Sequence, residues 1–158
     1  MRVASVPVDP TMLALLPLAQ MSDAYRVVLD GVTINAATAA RRVFSRVPWW
    51  VRLLLGLRNR LVAPFGLKTG DLGQPNLPRR IGIFPVMAET PHRILLGLDD
   101  KHLDFRIAVD VAVGTEHRHV TATTLVRTHN LLGRTYLATA LPFHRVIVPI
   151  LLAQAPVK

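Results

Sequence analysis

Cysteine is absent from this 158-residue chain, which removes disulfides, thiolate nucleophiles and zinc–thiolate sites together. Serine is nearly absent: Ser5, Ser22 and Ser45 are the only three, and none stands in a Gly-x-Ser-x-Gly nucleophile elbow. Glu89 and Glu116 are the only glutamates, so no glutamate pair is available to divide acid and base roles. No Gly-x-Gly-x-x-Gly or Walker-type phosphate loop occurs, and no cofactor is expected. Long apolar runs are missing too. Met12 to Ala19, Trp49 to Leu57 and Val146 to Ala153 fall well short of the roughly 20 residues a spanning helix needs, and Arg52 interrupts the second. No membrane span is expected. The first run resembles a signal peptide only faintly, because Asp9, Pro10 and Pro17 lie in or beside it and no small-x-small cleavage site closes it. A cytoplasmic domain is the expectation.

What is present is apolar and basic. Hydrophobic residues make up 51% and charged residues 18%, which excludes a disordered chain. At this length one domain with one real core is expected. The net charge of +9 comes almost wholly from arginine, sixteen against three lysines. Such an excess draws proteins toward phosphates or anionic surfaces, although an arginine bias alone also follows from genome composition. No nucleic-acid module signature accompanies it, and nucleic acid is not an expected partner.

Residues 1–22 read as an apolar N-terminal arm, and residues 23–155 as a single domain. The domain opens with a strand from Asp23 to Leu29, stopped by Asp30-Gly31. Asn35 is placed to cap a helix running from Ala36 to about Arg46, and Pro48 to start another from Trp49 to Val62. A loop rich in Pro and Gly follows, from Pro64 to Pro78, and is the best candidate for mobility. From Ile81 the apolar period drops to two, predicting strands at 81–88, 93–99, 102–113 and 117–129. Leu131 to Ala153 is helical in pattern, with Pro142 and Pro149 predicting kinks or two short helices.

Parity sharpens the sheet. Leu103, Phe105, Ile107, Val109 and Val111 alternate with His102, Asp104, Arg106, Ala108 and Asp110. In the next strand Val120, Ala122, Thr124, Val126 and Thr128 share a face. Apolar faces coincide only if odd positions of one strand oppose even positions of the other. A turn at Thr115-Glu116 does this, pairing Val111 with Val120, Phe105 with Val126 and Asp104 with Arg127. A preceding turn at Asp100-Lys101 brings Ile94, Leu96 and Leu98 to the same apolar side. That side needs a cover, and Leu132, Tyr136, Ala140, Phe143 and Ile147 recur at helical spacing to supply one. Ala122, Thr124 and Thr128 are small for core positions. Either Trp49, Trp50, Tyr136 and Phe143 fill the space above them, or a cavity remains.

Several stretches resemble a family: Asp23-Ala24-Tyr25-Arg26, residues 57–62, residues 97–106, Val126-Arg127-Thr128-His129-Asn130 with Gly133-Arg134, and Pro142-Phe143-His144-Arg145. They are similar to an uncharacterised bacterial family, domain of unknown function 2867. The order of elements also resembles the helix-grip fold of START-like, birch-allergen-like and polyketide-cyclase proteins, with fewer strands than is usual. The resemblance implies an α+β fold, an antiparallel sheet gripping a long C-terminal helix, and brings no catalytic residues with it. Members also occur fused behind a NAD(P)-binding, dehydrogenase-like domain, so such a protein is one candidate partner.

Four groups of residues are candidate sites. Asp99, Asp100, His102 and Asp104 cluster at a turn, where Asp is common for its backbone bonding and Asp104 has Arg127 opposite. His117 and His119 share a strand face but lack a third ligand, and no metal is expected. Arg41, Arg42, Arg46, Arg52, Arg58 and Arg60, with Trp49 and Trp50, suit an anionic lipid surface. The reading preferred for them is a solvated helix face whose tryptophans plug the core. Thr124, Thr128, Asn130, Arg134, Tyr136 and His144 surround the passage from the last strand to the last helix, and form the expected ligand site. The expected function is non-catalytic binding of a small apolar or amphipathic molecule. A cyclase- or hydratase-like enzyme using His144 or Tyr136, and an interaction module, are the alternatives, with a homodimer left open.

Overall fold

The computed structural model describes residues 2–31, 33–49, 52–53, 63–65, 79–114 and 117–156. Among them seven strands form one antiparallel sheet: β1 (Ala4–Val6), β2 (Met21–Leu29), β3 (Arg80–Ile81), β4 (Phe84–Glu89), β5 (Arg93–Asp99), β6 (Leu103–Val113) and β7 (Arg118–Thr128). Their spatial order is β1-β2-β7-β6-β5-β4-β3. Two helices, α1 (Ala36–Ser45) and α2 (Leu131–Leu152), lie on one face. The architecture is α+β, with the long C-terminal helix held across the sheet.

The alternating pattern forces the faces it predicts. Val111 pairs with Val120, Phe105 with Val126 and Asp104 with Arg127. The turn between β5 and β6 differs from expectation, because Asp99 pairs with Asp104 and the Asp100 N–H donates to the Leu103 carbonyl at 3.2 Å. The reversal is therefore at Lys101-His102. Relative to the predicted turn the register moves by two residues, and a slip of two leaves every side chain on its own face. The expected strand 81–88 is two strands, since Gly82 turns the chain at φ +59°. A Cβ at Gly82 would also crowd Phe44.

The inner face is divided along the strands. At one end Val27, Leu29, Ile94, Leu96, Val109, Val111 and Val120 are buried beneath Ala36, Ala39, Ala40, Val43 and Phe44 of α1. Leu151, Leu152 and Ala155, at the end of α2, complete this core. Asn35 caps α1 as predicted, accepting the Thr38 N–H at 2.8 Å.

The outer face is covered as well, against the expectation of a solvated, charged side. Within the segment read as an arm, Ala4–Val6 pairs with β2 and a 3-10 turn spans Pro10–Leu15. Outer-face arginines reach this segment: Arg93 contacts the Met12 Sδ and Arg127 donates to the Pro17 carbonyl. Met12 and Leu16 are buried there, together with Ala24, Ala108, Thr123 and Leu125.

Three further expectations are corrected. The C-terminal stretch is one continuous helix of 22 residues, with both prolines inside it. Ala138 and Arg145, whose carbonyls the prolines release, are exposed, so water satisfies what the ring removes. Phe143 is 48% exposed and turns away from the sheet. Trp49 is 76% exposed, so it plugs no core. The expected helix 49–62 is helical at the described residues 49 and 52–53; its remainder, Trp50 and most of the predicted mobile loop lie outside the described residues.

Candidate functional site

At the other end of the inner face the described residues are less fully buried. Asp23 pairs with Thr124 and Thr124 with Ile107; Met21 pairs with Val126 and Val126 with Phe105. These are inward positions on β2, β7 and β6, beneath the first half of α2. Thr124 and Val126 are buried, whereas Met21, Asp23, Phe105 and Ile107 are only half-buried. Above them α2 is buried near its two ends and only half-buried between. Gly133, Leu151 and Leu152 are its buried residues, and its sheet-facing Tyr136, Ala140, His144 and Ile147 remain half-buried.

The lower pin depends on glycine. A Cβ at Gly133 would overlap the carbonyl oxygen of His102. Only Gly lets the helix start come this close to the β5–β6 turn. Asn130 caps the helix, accepting the Gly133 N–H at 3.0 Å, and its Nδ2 lies 2.8 Å from Nδ1 of His102. Phe84 closes one side of the trough, stacked edge-on between Phe44 at 5.1 Å and Phe105 at 5.7 Å.

One hydrogen-bonded pair joins α2 to β2 here. His144 Nε2 lies 2.9 Å from Asp23 Oδ2 and 3.2 Å from Oδ1, each side chain about one-fifth exposed. Tyr25 stands two residues along the same face of β2 and packs on the core. Its burial, reinforced by the Asp23 carboxylate, pushes the phenol above its ordinary value, while the Arg145 guanidinium opposes the rise. An imidazole whose Nε2–H is held by a carboxylate keeps its Nδ1 lone pair for a ligand or a proton.

The predicted site residues fall into two groups. Thr124 and His144 meet at Asp23. Thr128 and Asn130 sit at the helix start, where Thr128 donates its N–H to the Gln20 Oε1 at 2.6 Å. Tyr136 lies between the groups on α2, and Arg134 is exposed beside them. Asp23 escaped the sequence reading, although its signal was present: it occupies the alternation of Tyr25, Val27 and Leu29, an inward carboxylate among apolar neighbours that needs a partner.

The other polar groups have internal duties. Asp104 is 3% exposed and accepts from Arg127 at 2.6 Å and His129 at 2.9 Å. Burial alone would raise its carboxyl, but the bonds from His129, Arg127 and the Asp100 N–H together hold it below the usual value. Asp99 pairs with Arg106 at 2.8 Å. His117 Nδ1 is 3.8 Å from Asp30, and burial, then Arg26, pull His119 below its ordinary value. Among the described residues no three His, Asp or Glu side chains are grouped to hold a metal.

Comparison with known proteins adds a family and a distant likeness. The family model for domain of unknown function 2867, described as "Protein of unknown function", matches residues 15–151. No curated protein matches the chain. The crystal structure of the di-domain ARO/CYC BexL from the BE-7585A biosynthetic pathway is similar to it at 15% identity and a TM-score of 0.41. That likeness covers 94% of this chain but 54% of the other, so the chain spans about half of the length it matches.

Proposed function

Since the chain belongs to domain of unknown function family 2867, which carries no assigned activity, we propose on the geometry alone that it binds a small amphipathic molecule between sheet and α2. The observation that supports this is the pinning of α2 at both ends over a half-buried apolar floor, with one polar pair suspended between. Met21, Phe105 and Ile107 offer contact to the ligand's apolar body; Asp23, His144 and the Tyr25 hydroxyl offer contact to its polar group. Burying such a body contributes about 25 cal/mol per Å² of apolar area, so about 500 Å² or more is needed for micromolar binding once association costs are met. Titration with the fluorescent probe 8-anilinonaphthalene-1-sulfonate tests the reading. Ala140→Trp, which fills the trough, is expected to abolish saturable binding in a variant that still melts cooperatively. Equal binding by wild type and Ala140→Trp defeats it.

The Asp23–His144 pair also favours a second reading, an enzyme of the cyclase or hydratase kind. In it Asp23 fixes the imidazole tautomer and Nδ1 of His144 removes a proton from the bound molecule. Asp23→Asn separates the two: an enzyme loses turnover with binding kept, whereas a carrier shows no turnover in either form.

A further inference from the structure

Carboxylates are distributed unevenly. No Asp or Glu occurs from residue 31 to 70 or from 117 to the end, the two segments that contain α1 and α2. Six of the twelve large apolar side chains exposed among the described residues lie on these segments. Trp49 and Leu53, four positions apart in the chain, are 76% and 65% exposed. On α2, Phe143, Val146 and Ile150 are exposed at spacings of three and four, a continuous stripe facing away from the sheet. The two sets converge at one edge, because Gln154, one turn beyond Ile150, donates to the carbonyl of Arg46 at 3.0 Å. Arg42 donates to the carbonyl of Ala155 beside it, at 3.3 Å. Arg46 and Arg52, on the first of these segments, are exposed beside Trp49 and Leu53 in the chain.

A protein that leaves a tryptophan and branched aliphatics in water, on segments that carry exposed arginines and no acids, is matched to a surface that is anionic outside and apolar just beneath. We infer that the face made by Arg46, Trp49, Arg52 and Leu53 together with the exposed stripe of α2 lies on anionic phospholipid bilayers. The arginines meet lipid phosphates while Trp49, Leu53 and the α2 stripe enter the headgroup boundary. Leu53, Val146 and Ile150 have no π-face to stack on bases, which disfavours nucleic acid. The chain rests on the membrane and does not cross it. α2 is long and apolar enough to span by length and composition, but its two ends are buried against the sheet. This inference is independent of the ligand reading, since it uses the side of α2 that faces away from the trough.

The test is co-sedimentation of the full chain with vesicles of phosphatidylcholine alone and of phosphatidylcholine mixed with phosphatidylglycerol. Binding is expected to the mixed vesicles only, weakening as salt is raised. Trp49→Ser with Leu53→Ser should reduce it at least about tenfold, and Arg46→Gln or Arg52→Gln about fivefold each. Phe143→Ser with Val146→Ser provides a second pair should the first not fold; all these positions are exposed, and unchanged melting verifies each variant. Absence of binding to mixed vesicles overturns the inference. So does binding that folded Ser variants retain, or a preference for duplex DNA or for an acidic protein partner over vesicles. The Ala140→Trp variant, by contrast, should sediment like wild type.

Discussion

His144 and Asp23 stand 121 positions apart in the chain and meet at 2.9 Å across the space between α2 and β2. This contact ties the middle of the helix to the sheet. The pair therefore acts on both the trough's width and its chemistry.

Urea denaturation of Asp23→Ala, His144→Ala and the double variant measures that link. Each single change is expected to cost about 1–2 kcal/mol, with a coupling of about 1 kcal/mol between them. Additive effects, with no coupling, would show the two side chains to be independent.

Asp104 is a different case, because its carboxylate is buried, neutralises Arg127 and is bonded to His129. Asp104→Asn at neutral pH is expected to destabilise by about 3 kcal/mol, since Arg127 loses its counter-charge and the bonds at a buried carboxylate are weakened. Its folded value lies below the ordinary 3.8, so the stabilisation is present above that value and is lost as pH falls through the folded one. The gap between wild type and variant should accordingly narrow only below about pH 3.8. Chemical denaturation at a series of pH values checks both statements; a gap that closes near neutrality contradicts them.

His119 supplies a second, milder acid sensitivity. Burial first, and then Arg26, lower its folded value, so the folded state favours neutral imidazole. Its contribution is complete above the unfolded value of about 6.5 and declines as pH falls below it. His119→Gln should flatten the stability profile just below pH 6.5, as read by thermal melting; parallel profiles for both proteins would refute this.

Gly133→Ala addresses the lower pin of α2. The added methyl meets the backbone carbonyl of His102, which cannot move without shifting the β5–β6 turn. A loss of about 2 kcal/mol or more is expected, with faster amide exchange through the first turn of α2. Wild-type stability in the alanine variant would mean that helix and turn are held less closely than this.

Local chemistry determined much of this protein before any tertiary contact. Strand alternation over residues 103–113 and 118–128 admits only one assignment of faces, because backbone pleating has a period of two and one face must leave water. Asn35 and Asn130 were recognisable as caps for the same reason: a cap is made within four residues. Parity does not distinguish a register from one displaced by two, so the Lys101-His102 reversal was decided by how β5 and β6 pack. α2 is apolar nearly all round, and periodicity alone could not say that His144 faces the sheet while Phe143 faces out. That choice came from Asp23, a partner on the far side of the fold. The burial of Met12 and Leu16 and the exposure of Trp49 were settled likewise, since an apolar residue's own identity does not reveal whether a surface will be there to receive it.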